Sequence, residues 1–541
     1  MGGFKIIEDR PTPKCVYNAR VYLQATVVAF GALTFGYDGA FFGTTVARTK
    51  FKSDFGITDS QAISNLTSVY LAGAFFGALA AWPAMERFGR RMPLQIASIV
   101  FVVGAILMVA TSHSLGMMYA GRVITGLGVG TLTAVIPTYI SEIAPPALRG
   151  TLTGLFEVCY QAGSLVGFWI NYGINHHVDV NTALAWRIPM AVQLIPGGLL
   201  GLGTLILRES PPWLFRKGRD DEALEVLSYI RKLPADDKYI QEEVGMIQSL
   251  MAEEALITGG EHGMMAYLRG AFGLLKTKNI RHRVAVVFFM FLFQNWSGAI
   301  VINYYSPSIF KSVGIVDYTL YTGIYGLVKA IGSFIFFLFV VDRSGRRVPW
   351  LLSATVCAGC LLYLGIYVKV AAPAAGKTMS ASSQAGGNAA IFFIMLYSLF
   401  WSFGGNGLPW IVSSEMFPIS LRSITGAFAA MCQWLFSFSS TMAATQLQLK
   451  LKWGLFVFFA AICLVTAIFT FFWVPDTKGI PIECMEALFS GRSRHAQFLQ
   501  KKVFPPNGIP PFPGNLHAPV TRQKSVTSQK DADGMFEHSE A

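Results

Sequence analysis

Long runs of apolar residues, separated by short polar segments, recur along most of the chain. Each run is long enough to cross about 30 Å of hydrocarbon, which takes ~20 helical residues. The pattern therefore predicts an all-α membrane protein with twelve transmembrane helices. The runs lie near residues 20–46, 62–84, 93–112, 116–140, 150–174, 187–207, 283–310, 319–341, 348–369, 388–413, 423–446 and 453–474.

A polar segment over residues 208–282 divides these runs into six and six. Its strings RKGRDDEALEVLSYIRKL and YIQEEVGMIQSLMAEEAL have the 3.6-residue periodicity of amphipathic helices. We therefore expect a helical linker between two six-helix bundles. The predicted organisation is an N-terminal tail (1–19), a first bundle (20–207), the linker (208–282), a second bundle (283–474) and a C-terminal tail that is partly disordered (475–541).

The two sets of six runs share motifs at corresponding positions. MERFGRR follows the second run and VDRSGRR follows the eighth, while YISEIAPPALRG after the fourth run matches VSSEMFPISLRS after the tenth. A repeat of six spans is typical of transporters whose two related bundles move around a central binding site. The repeat therefore predicts a transporter with two related halves.

Composition and charge agree with a membrane protein and set its orientation. Hydrophobic residues make up 53% of the chain and charged residues 14%, and the mean hydropathy is +0.47. The net charge of +12 comes mostly from Lys and Arg in short loops and tails, so the positive-inside rule explains it better than nucleic-acid binding. We expect both termini and the GRR loops to be cytosolic, and the first 19 residues to be too polar for a cleavable signal peptide.

Four ionisable residues, Asp38, Arg122, Glu157 and Lys329, fall inside the apolar runs. Each costs roughly 2.5–3.5 kcal/mol on insertion scales, so each requires a structural or functional explanation. Because two are acidic and two basic, they could simply neutralise one another as structural pairs. A carboxylate beside an arginine could instead act as a proton-coupling device, since the arginine holds the acid ionised until the surroundings change.

Charged residues also repeat at the predicted cytosolic ends of both halves. Glu142 and Arg149 match Glu415 and Arg422, and both pairs accompany a GRR motif. Although single charges at helix ends are ordinary, their duplication favours a network that closes the inner gate. The predicted network consists of Glu86, Arg90, Arg91, Glu142, Arg149, Asp342, Arg346, Arg347, Glu415 and Arg422.

Uncharged polar residues gather in three spans of the second half. Amide side chains donate and accept hydrogen bonds, and an indole can stack on a ring, so the set suits a neutral polyhydroxylated ligand. Amides that join membrane helices are the alternative for any single position. The candidate binding residues are Gln294, Asn295, Asn303, Tyr304, Asn406, Trp410 and Gln433.

Several motifs together resemble, in order and spacing, those of the sugar porter family of the major facilitator superfamily. They are FGYDGAFFG, MERFGRR, GRVITGLGVG, YISEIAPPALRG, RESPPWL, VDRSGRR, VSSEMFP and VPDTKG, and they cover about residues 20–480. EDRPTPKCVYNARVYL, LVGFWINYG and NYYSP resemble the fungal branch that includes quinate permeases and monosaccharide carriers. The resemblance implies the two-bundle major facilitator fold.

The resemblance also implies roles for individual residues. Asp38 matches the proton-coupling carboxylate of symporting members, and Arg122 matches its arginine partner. The sugar-binding positions of the family fall on Gln294, Asn295, Asn303, Tyr304, Asn406, Trp410 and Gln433.

The chain departs from the family pattern at the expected binding site. The seventh span has QN and GAI where sugar carriers typically have two glutamines and GIN, which weakens the case for an aldohexose. Glu157 replaces a ligand-binding glutamine of many members, and Gln161, one helical turn on, could partly substitute. Lys329 is the expected partner of Glu157. If the two pair, a sugar or polyol fits the site, and if Glu157 is protonated, Lys329 could attract an anion.

We therefore expect a proton-coupled symporter that imports a small polyhydroxylated carbon source by alternating access across the plasma membrane. The substrate would be a monosaccharide, quinate, a sugar acid or a polyol, and the transport unit would be a monomer in the lipid bilayer. The alternatives are a nutrient sensor with little transport and a facilitative sugar carrier without proton coupling. No motif indicates an enzyme, a metal site, a cofactor or nucleic-acid binding.

Overall fold

The described part of the chain is helical and contains no β-strand. A computed structural model describes residues 12–145, 148–258, 277–300, 302–303, 318–371, 381–417 and 421–477, with positions 269, 270, 273, 275 and 310. The first half, up to residue 203, contains α1 (Ala19–Val46), α2 (Thr49–Asp54), α3 (Ser60–Phe88), α4 (Arg91–Ala110), α5 (Leu115–Ile143), α6 (Arg149–His177), α7 (Leu184–Val192) and α8 (Leu194–Gly203).

Three helices follow the first half, and the second half begins at residue 278. The intervening helices are α9 (Pro211–Arg216), α10 (Asp220–Arg231) and α11 (Lys238–Thr258). The second half contains α12 (Lys278–Asn295), α13 (Tyr318–Ile335), α14 (Val341–Ser344), α15 (Arg347–Ala371), α16 (Ala381–Gly404), α17 (Leu408–Met416), α18 (Arg422–Leu451) and α19 (Gly454–Trp473).

Seven helical stretches among the described residues are long and apolar enough to cross a membrane. They are Lys14–Val46, Gln61–Phe88, Arg91–Ala110, Leu115–Ile143, Arg347–Ala371, Ser382–Met416 and Gly454–Trp473. The other five predicted spans overlap, in part or in full, with α6, α7 and α8 together, α12, α13 and α18. The twelve-span layout itself stays a prediction.

Many large apolar side chains point away from the protein interior. Ile99, Leu202 and Val370 are 61%, 67% and 79% exposed. An extensive apolar exterior is unusual for a protein surrounded by water, whereas hydrocarbon accommodates it without cost. The outer surface therefore fits a lipid environment.

Close helix packing within the first half depends on small residues. The helices α3 and α5 pack along their lengths, as do α1 and α6. A Cβ atom at Gly130 of α5 would overlap the carbonyl oxygen of Ala74 in α3. Only glycine allows the two backbones to approach this closely.

The two halves contact each other mainly through α3 with α18 and α6 with α13. Midway along the helices, Trp434 Nε1 donates to Thr133 Oγ1 at 3.0 Å. Near the end opposite the GRR motifs, Gln446 Nε2 donates to Gln61 Oε1 at 2.7 Å. These hydrogen bonds join the halves around the candidate site described below.

Three predicted spans are interrupted among the described residues, and the one predicted over 283–310 is broken at residues 296–298, after α12. The span predicted over 187–207 consists of α7 and α8, because Pro196 lacks the amide hydrogen that would bond to the carbonyl of residue 192. The span predicted over 388–413 is divided at residues 405–407, between α16 and α17. Pro409 lies in the first turn of α17, where a missing amide hydrogen is tolerated.

The helices between the halves are tied to the first half by buried hydrogen bonds. Asn18 Nδ2, at the start of α1, donates to the carbonyl of Ile230 at 2.8 Å. Arg231 Nη1 donates to the carbonyl of Ile143 at 2.7 Å, and Arg231 Nη2 pairs with Glu243 Oε1 at 2.6 Å. The segment is therefore an ordered helical structure docked at the end of the first half that carries the GRR motif.

Candidate functional site

The first element of the candidate site is a fully buried ion pair between α1 and α5. Arg122 Nη1 lies 2.6 Å from Asp38 Oδ1, and both side chains are 0% exposed. The guanidinium group lies between the rings of Phe42 and Tyr70, 3.7 and 4.2 Å from their centroids. Its Nε atom donates to the carbonyl of Leu66 at 3.3 Å. Arg122 thus has a hydrogen bond and two ring faces in addition to the carboxylate.

The second element is a cavity between the two halves. Residues of α1, α3 and α6 form one side, and residues of α12, α16, α17 and α18 form the other. A cavity at the interface of two related halves is the usual position of a transporter binding site. The predicted site residues that line it are Glu157, Gln294, Asn295, Asn303, Asn406, Trp410 and Gln433.

Two residues predicted for the binding site are not found in the described part of the cavity lining. Gln161 is not among the residues that line the cavity, although it contacts one of them. Tyr304 lies outside the described residues.

The amides from α12 and α18 form a connected group on one wall. Asn295 and Gln433 exchange two hydrogen bonds of 3.1 Å, and Ser437 Oγ donates to Asn295 Oδ1 at 2.7 Å. Gln294 Nε2 donates to the carbonyl of Asn406 at 2.7 Å, while its Oε1 atom is buried without a hydrogen-bond partner. The amides therefore join helices and also offer polar atoms to a ligand.

Glu157 lines the cavity and Lys329 lies behind the lining residue Asn303, and the two side chains form no direct ion pair. Glu157 Oε1 accepts a hydrogen bond of 2.8 Å from Gln161 Nε2 and a second one from Asn406 Nδ2. Lys329 Nζ instead lies 3.5 Å from Asn303 Oδ1. The amides of Gln161 and Asn406 thus hold the Glu157 carboxylate, whose pairing with Lys329 the sequence left open.

Aromatic side chains form the remaining walls, and sequence reasoning did not select most of them. Tyr160, Trp401 and Trp434 line the cavity with the predicted Trp410. Tyr160 follows Glu157 by three residues, so helical spacing could have indicated that the two share a face of α6. Aromatic walls beside amides suit a small ring that carries hydroxyl groups.

A charge cluster connects helix ends at the GRR motif of the first half. Arg90 Nη2 pairs with Glu142 Oε1 at 2.7 Å, and Ser210 Oγ also donates to Glu142. Glu209 accepts hydrogen bonds from the backbone amides of Arg90 and Arg91, at 2.8 and 3.2 Å. Burial raises the pKa of Glu209 from its ordinary value, and these amide hydrogen bonds offset part of the effect.

The second half repeats this cluster residue by residue. Arg346 Nη2 pairs with Glu415 Oε1 at 2.9 Å, and Thr477 Oγ1 donates to Glu415. Asp476 Oδ1 accepts a hydrogen bond of 3.0 Å from the backbone amide of Arg346. Each cluster therefore consists of an arginine, a glutamate, a hydroxyl and a second carboxylate.

The glycine of each GRR motif is needed for the same geometry. Gly89 and Gly345 have φ angles of 86° and 79°, which other residues rarely adopt. A Cβ atom at either glycine would also overlap the neighbouring carboxylate, Glu209 or Asp476. The glycines let those carboxylates reach the backbone amides.

Sequence reasoning missed four members of the clusters, although its quoted motifs contained them. Glu209 and Ser210 lie in RESPPWL, and Asp476 and Thr477 lie in VPDTKG. Both strings place an acid directly before a hydroxyl after the last span of a half. This matched spacing was the signal that could have found them.

Of the other predicted gate residues, some make contacts outside the two clusters and some have side chains that the structure does not describe. Arg91 donates to the carbonyl oxygens of Thr204 and Leu205, and Glu86 lies 3.8 Å from Arg216. The structure does not describe three predicted side chains of the network. Those side chains are Arg149, Asp342 and Arg422.

Arg347, also predicted for the gate, donates to the carbonyl of Phe471 instead of pairing with an acid within hydrogen-bond distance.

Among the described residues, no group of His, Cys, Asp and Glu side chains could hold a metal ion.

Comparison with known proteins identifies relatives over nearly the whole chain. A probable quinate permease of Aspergillus fumigatus is 42% identical over 510 residues, covering 92% of this chain and 93% of the relative. The quinate permease of Emericella nidulans is 40% identical over 507 residues, covering 92% of this chain and 94% of the relative.

Solved structures share the fold at lower sequence identity. The proton:xylose symporter XylE of the major facilitator superfamily, bound to 6-bromo-6-deoxy-D-glucose, has a TM-score of 0.71 at 23% identity and covers 87% of this chain and 99% of that chain. The inward-open xylose transporter XylE from E. coli has a TM-score of 0.68 at 23% identity, covering 87% of this chain and 100% of that chain.

The family model for "Sugar (and other) transporter" matches residues 24–489. This match spans both halves, the intervening helices, the cavity and both charge clusters. The chain therefore belongs to the sugar (and other) transporter family, has a major facilitator fold, and is a transport protein, not an enzyme.

Proposed function

We propose that this protein imports a small polyhydroxylated carbon source together with protons. The observation that carries the proposal is the occurrence, in one chain, of the buried Asp38–Arg122 pair and the amide-lined cavity between the halves. The cavity would bind the substrate, and the ion pair would respond to the proton. The substrate class comprises monosaccharides, quinate, sugar acids and polyols.

The lining of the cavity supports the substrate class. Gln294 presents a buried acceptor oxygen, and Trp410 presents an indole. Hydroxyl groups of a ligand would satisfy the amides, and the apolar faces of its ring would contact the aromatic walls. The names of the relatives, quinate permeases among them, support the same class.

The geometry of the ion pair supports proton coupling. An arginine remains charged at all physiological pH values, so Asp38 is the member of the pair that can change its charge. Arg122 keeps the carbonyl of Leu66 and the two aromatic rings when the carboxylate is neutral. Protonation of Asp38 would thus release α1 from α5 without leaving the arginine isolated.

The membrane arrangement belongs to the same proposal. Twelve spans would form two six-helix bundles, 20–207 and 283–474, joined by a helical linker over 208–282 and flanked by cytosolic tails 1–19 and 475–541. The basic GRR loops support a cytosolic position for that end of both bundles. The protein would act in the plasma membrane, with one chain as the transport unit.

Alternating access would proceed by movement of one bundle against the other. The hydrogen bond between Gln61 and Gln446 joins the halves near the end opposite the GRR motifs and would have to break when that end opens. The charge clusters near residues 90 and 346 hold helices together within each half. They would let each bundle move as a unit and assemble the inner gate.

The direct test is uptake by a transporter-deficient fungal host that expresses the full chain. Labelled hexoses, pentoses, polyols, quinate and galacturonate would be offered while the external pH is recorded. We expect saturable uptake of at least one compound, alkalinisation of the medium when it is added, and loss of accumulation with a protonophore. Uptake without proton entry would indicate a facilitative carrier, and signalling without uptake would indicate a sensor.

A further inference from the structure

A buried cation that forms no ion pair with a carboxylate lies against residues that line the cavity. Lys329 of α13 is 1% exposed, and its Nζ atom lies 3.5 Å from Asn303 Oδ1. The ammonium group also lies 5.3 Å from the centroid of Tyr160 and 5.6 Å from that of Trp401. These partners are all uncharged, and all three line the cavity.

The acid that could neutralise this lysine is held by other groups. Glu157 accepts hydrogen bonds from Gln161 and Asn406, and no oxygen of it lies within 4.0 Å of Lys329 Nζ. Among the described residues, no other carboxylate forms an ion pair with Lys329 either. A buried ammonium without a contacting anion is costly, so a ligand that supplies one would gain free energy there.

We infer that the substrate is a small polyhydroxylated carboxylate whose acid group binds Lys329. The inference rests on the proposed transport function and makes its substrate class more specific. Hydroxyl groups of the ligand would bind the amides of Gln294 and Asn303, and the carboxylate would displace the weak contact between Lys329 and Asn303. Glu157, held by its amide partners, leaves the ammonium open for the ligand.

Glu157 sets the charge that an anion meets in the cavity. Its carboxylate lies on α6, which packs against α13, so it repels a bound anion while it is ionised. Replacing it with Gln removes this repulsion and keeps an oxygen for the hydrogen bonds from Gln161 and Asn406. Glu157→Gln is therefore expected to improve the binding of an acid and to leave a neutral ligand nearly unaffected.

The test measures uptake of quinate and galacturonate, with myo-inositol and xylose as neutral probes, in a transporter-deficient host. Lys329→Met is expected to raise the KM for acids by about 10- to 100-fold, the effect of losing a hydrogen bond to a charged group. Lys329→Arg retains the charge and should recover part of the acid uptake. Lys369→Met, a lysine on α15 that contacts Trp453, is the matched control.

The outcomes separate the inference from the transport function. Uptake of neutral probes but no acid by the wild-type protein would overturn the inference and leave the transport function intact. Unchanged acid KM in Lys329→Met, at equal surface expression, would also overturn it. If the wild-type protein takes up none of the probes, the proposed function and the inference both fail. Selective loss of acid uptake in Lys329→Met, with gain in Glu157→Gln, supports the inference.

Discussion

Arg122 Nη1 and Asp38 Oδ1 are 2.6 Å apart in a pair that solvent does not reach. Removing one member of a buried ion pair typically costs about 3–5 kcal/mol, because the other charge is left unpaired. Here the arginine has two aromatic rings and the carbonyl of Leu66 as further partners. In the proposed coupling, a proton on Asp38 would therefore open the pair at a lower cost than it would open an isolated buried pair.

Replacing Asp38 with Asn should separate substrate movement from proton movement. The amide can still accept a hydrogen bond from Arg122, so the fold is kept, but it cannot take up a proton. We expect uphill uptake and substrate-induced proton entry to be lost while counterflow exchange of labelled substrate remains measurable. Asp54→Asn, which alters an acid paired with Lys50 outside the cavity, is the control. Accumulation that persists in Asp38→Asn would refute the coupling role.

Linking Gln61 to Gln446 should lock the transporter. The two side chains hydrogen-bond at 2.7 Å across the halves, and this contact must open for access from the end opposite the GRR motifs. Cysteines at both positions, joined by a short bifunctional thiol reagent, are expected to reduce uptake by at least about tenfold, as a blocked conformational step would. Either single cysteine treated in the same way should retain uptake. Full transport by the cross-linked protein would exclude this movement.

Glu142→Gln should weaken the charge cluster of the first half. Glu142 accepts hydrogen bonds from Arg90 and Ser210, and hydrogen bonds to charged groups contribute about 1.5–3 kcal/mol each. We expect a lower unfolding temperature of the purified protein in detergent and slower transport at unchanged KM. Glu225→Gln changes an exposed acid 4.0 Å from Arg208 and should alter neither property. Equal effects of the two substitutions would contradict the assignment.

Gly130→Ala should destabilise the protein far more than Gly359→Ala. A Cβ atom at Gly130 overlaps the backbone of α3, whereas none of the surrounding atoms lies within 4 Å of a Cβ atom at Gly359. Overpacking of this kind costs roughly 1–3 kcal/mol. Thermal unfolding in detergent measures the difference, and equal unfolding temperatures would show that the α3–α5 approach is not tight.

The helical membrane architecture and the division into two related halves could be predicted from the sequence. Membrane helices need long apolar runs, and the two halves repeat their motifs. Gly407 and Pro409 follow Asn406 in the sequence, and the structure divides that span between α16 and α17. The sequence left the partner of Glu157 open, because spacing along α6 and α13 does not determine side-chain direction. Asn406 reaches Glu157 across the interface between the halves, which is a tertiary contact.

The sequence also indicated only some of the residues in the charge clusters at the GRR motifs. Repeated charges indicated that Glu142 and Glu415 belong to a network, but the sequence did not identify Arg90 and Arg346 as their partners. Glu209 and Asp476 were overlooked because each acts through backbone amides next to a glycine. Backbone amides carry no formal charge, so only the matched acid and hydroxyl after the last span of each half could have indicated these contacts.

The central claim is that inward proton movement drives accumulation of the substrate. The most direct measurement uses the purified full chain in liposomes with an imposed inward proton gradient and the labelled compound that cells take up best. We predict an internal concentration above the external one, which collapses when a protonophore is added. Equal internal and external concentrations, with and without the gradient, would contradict the account.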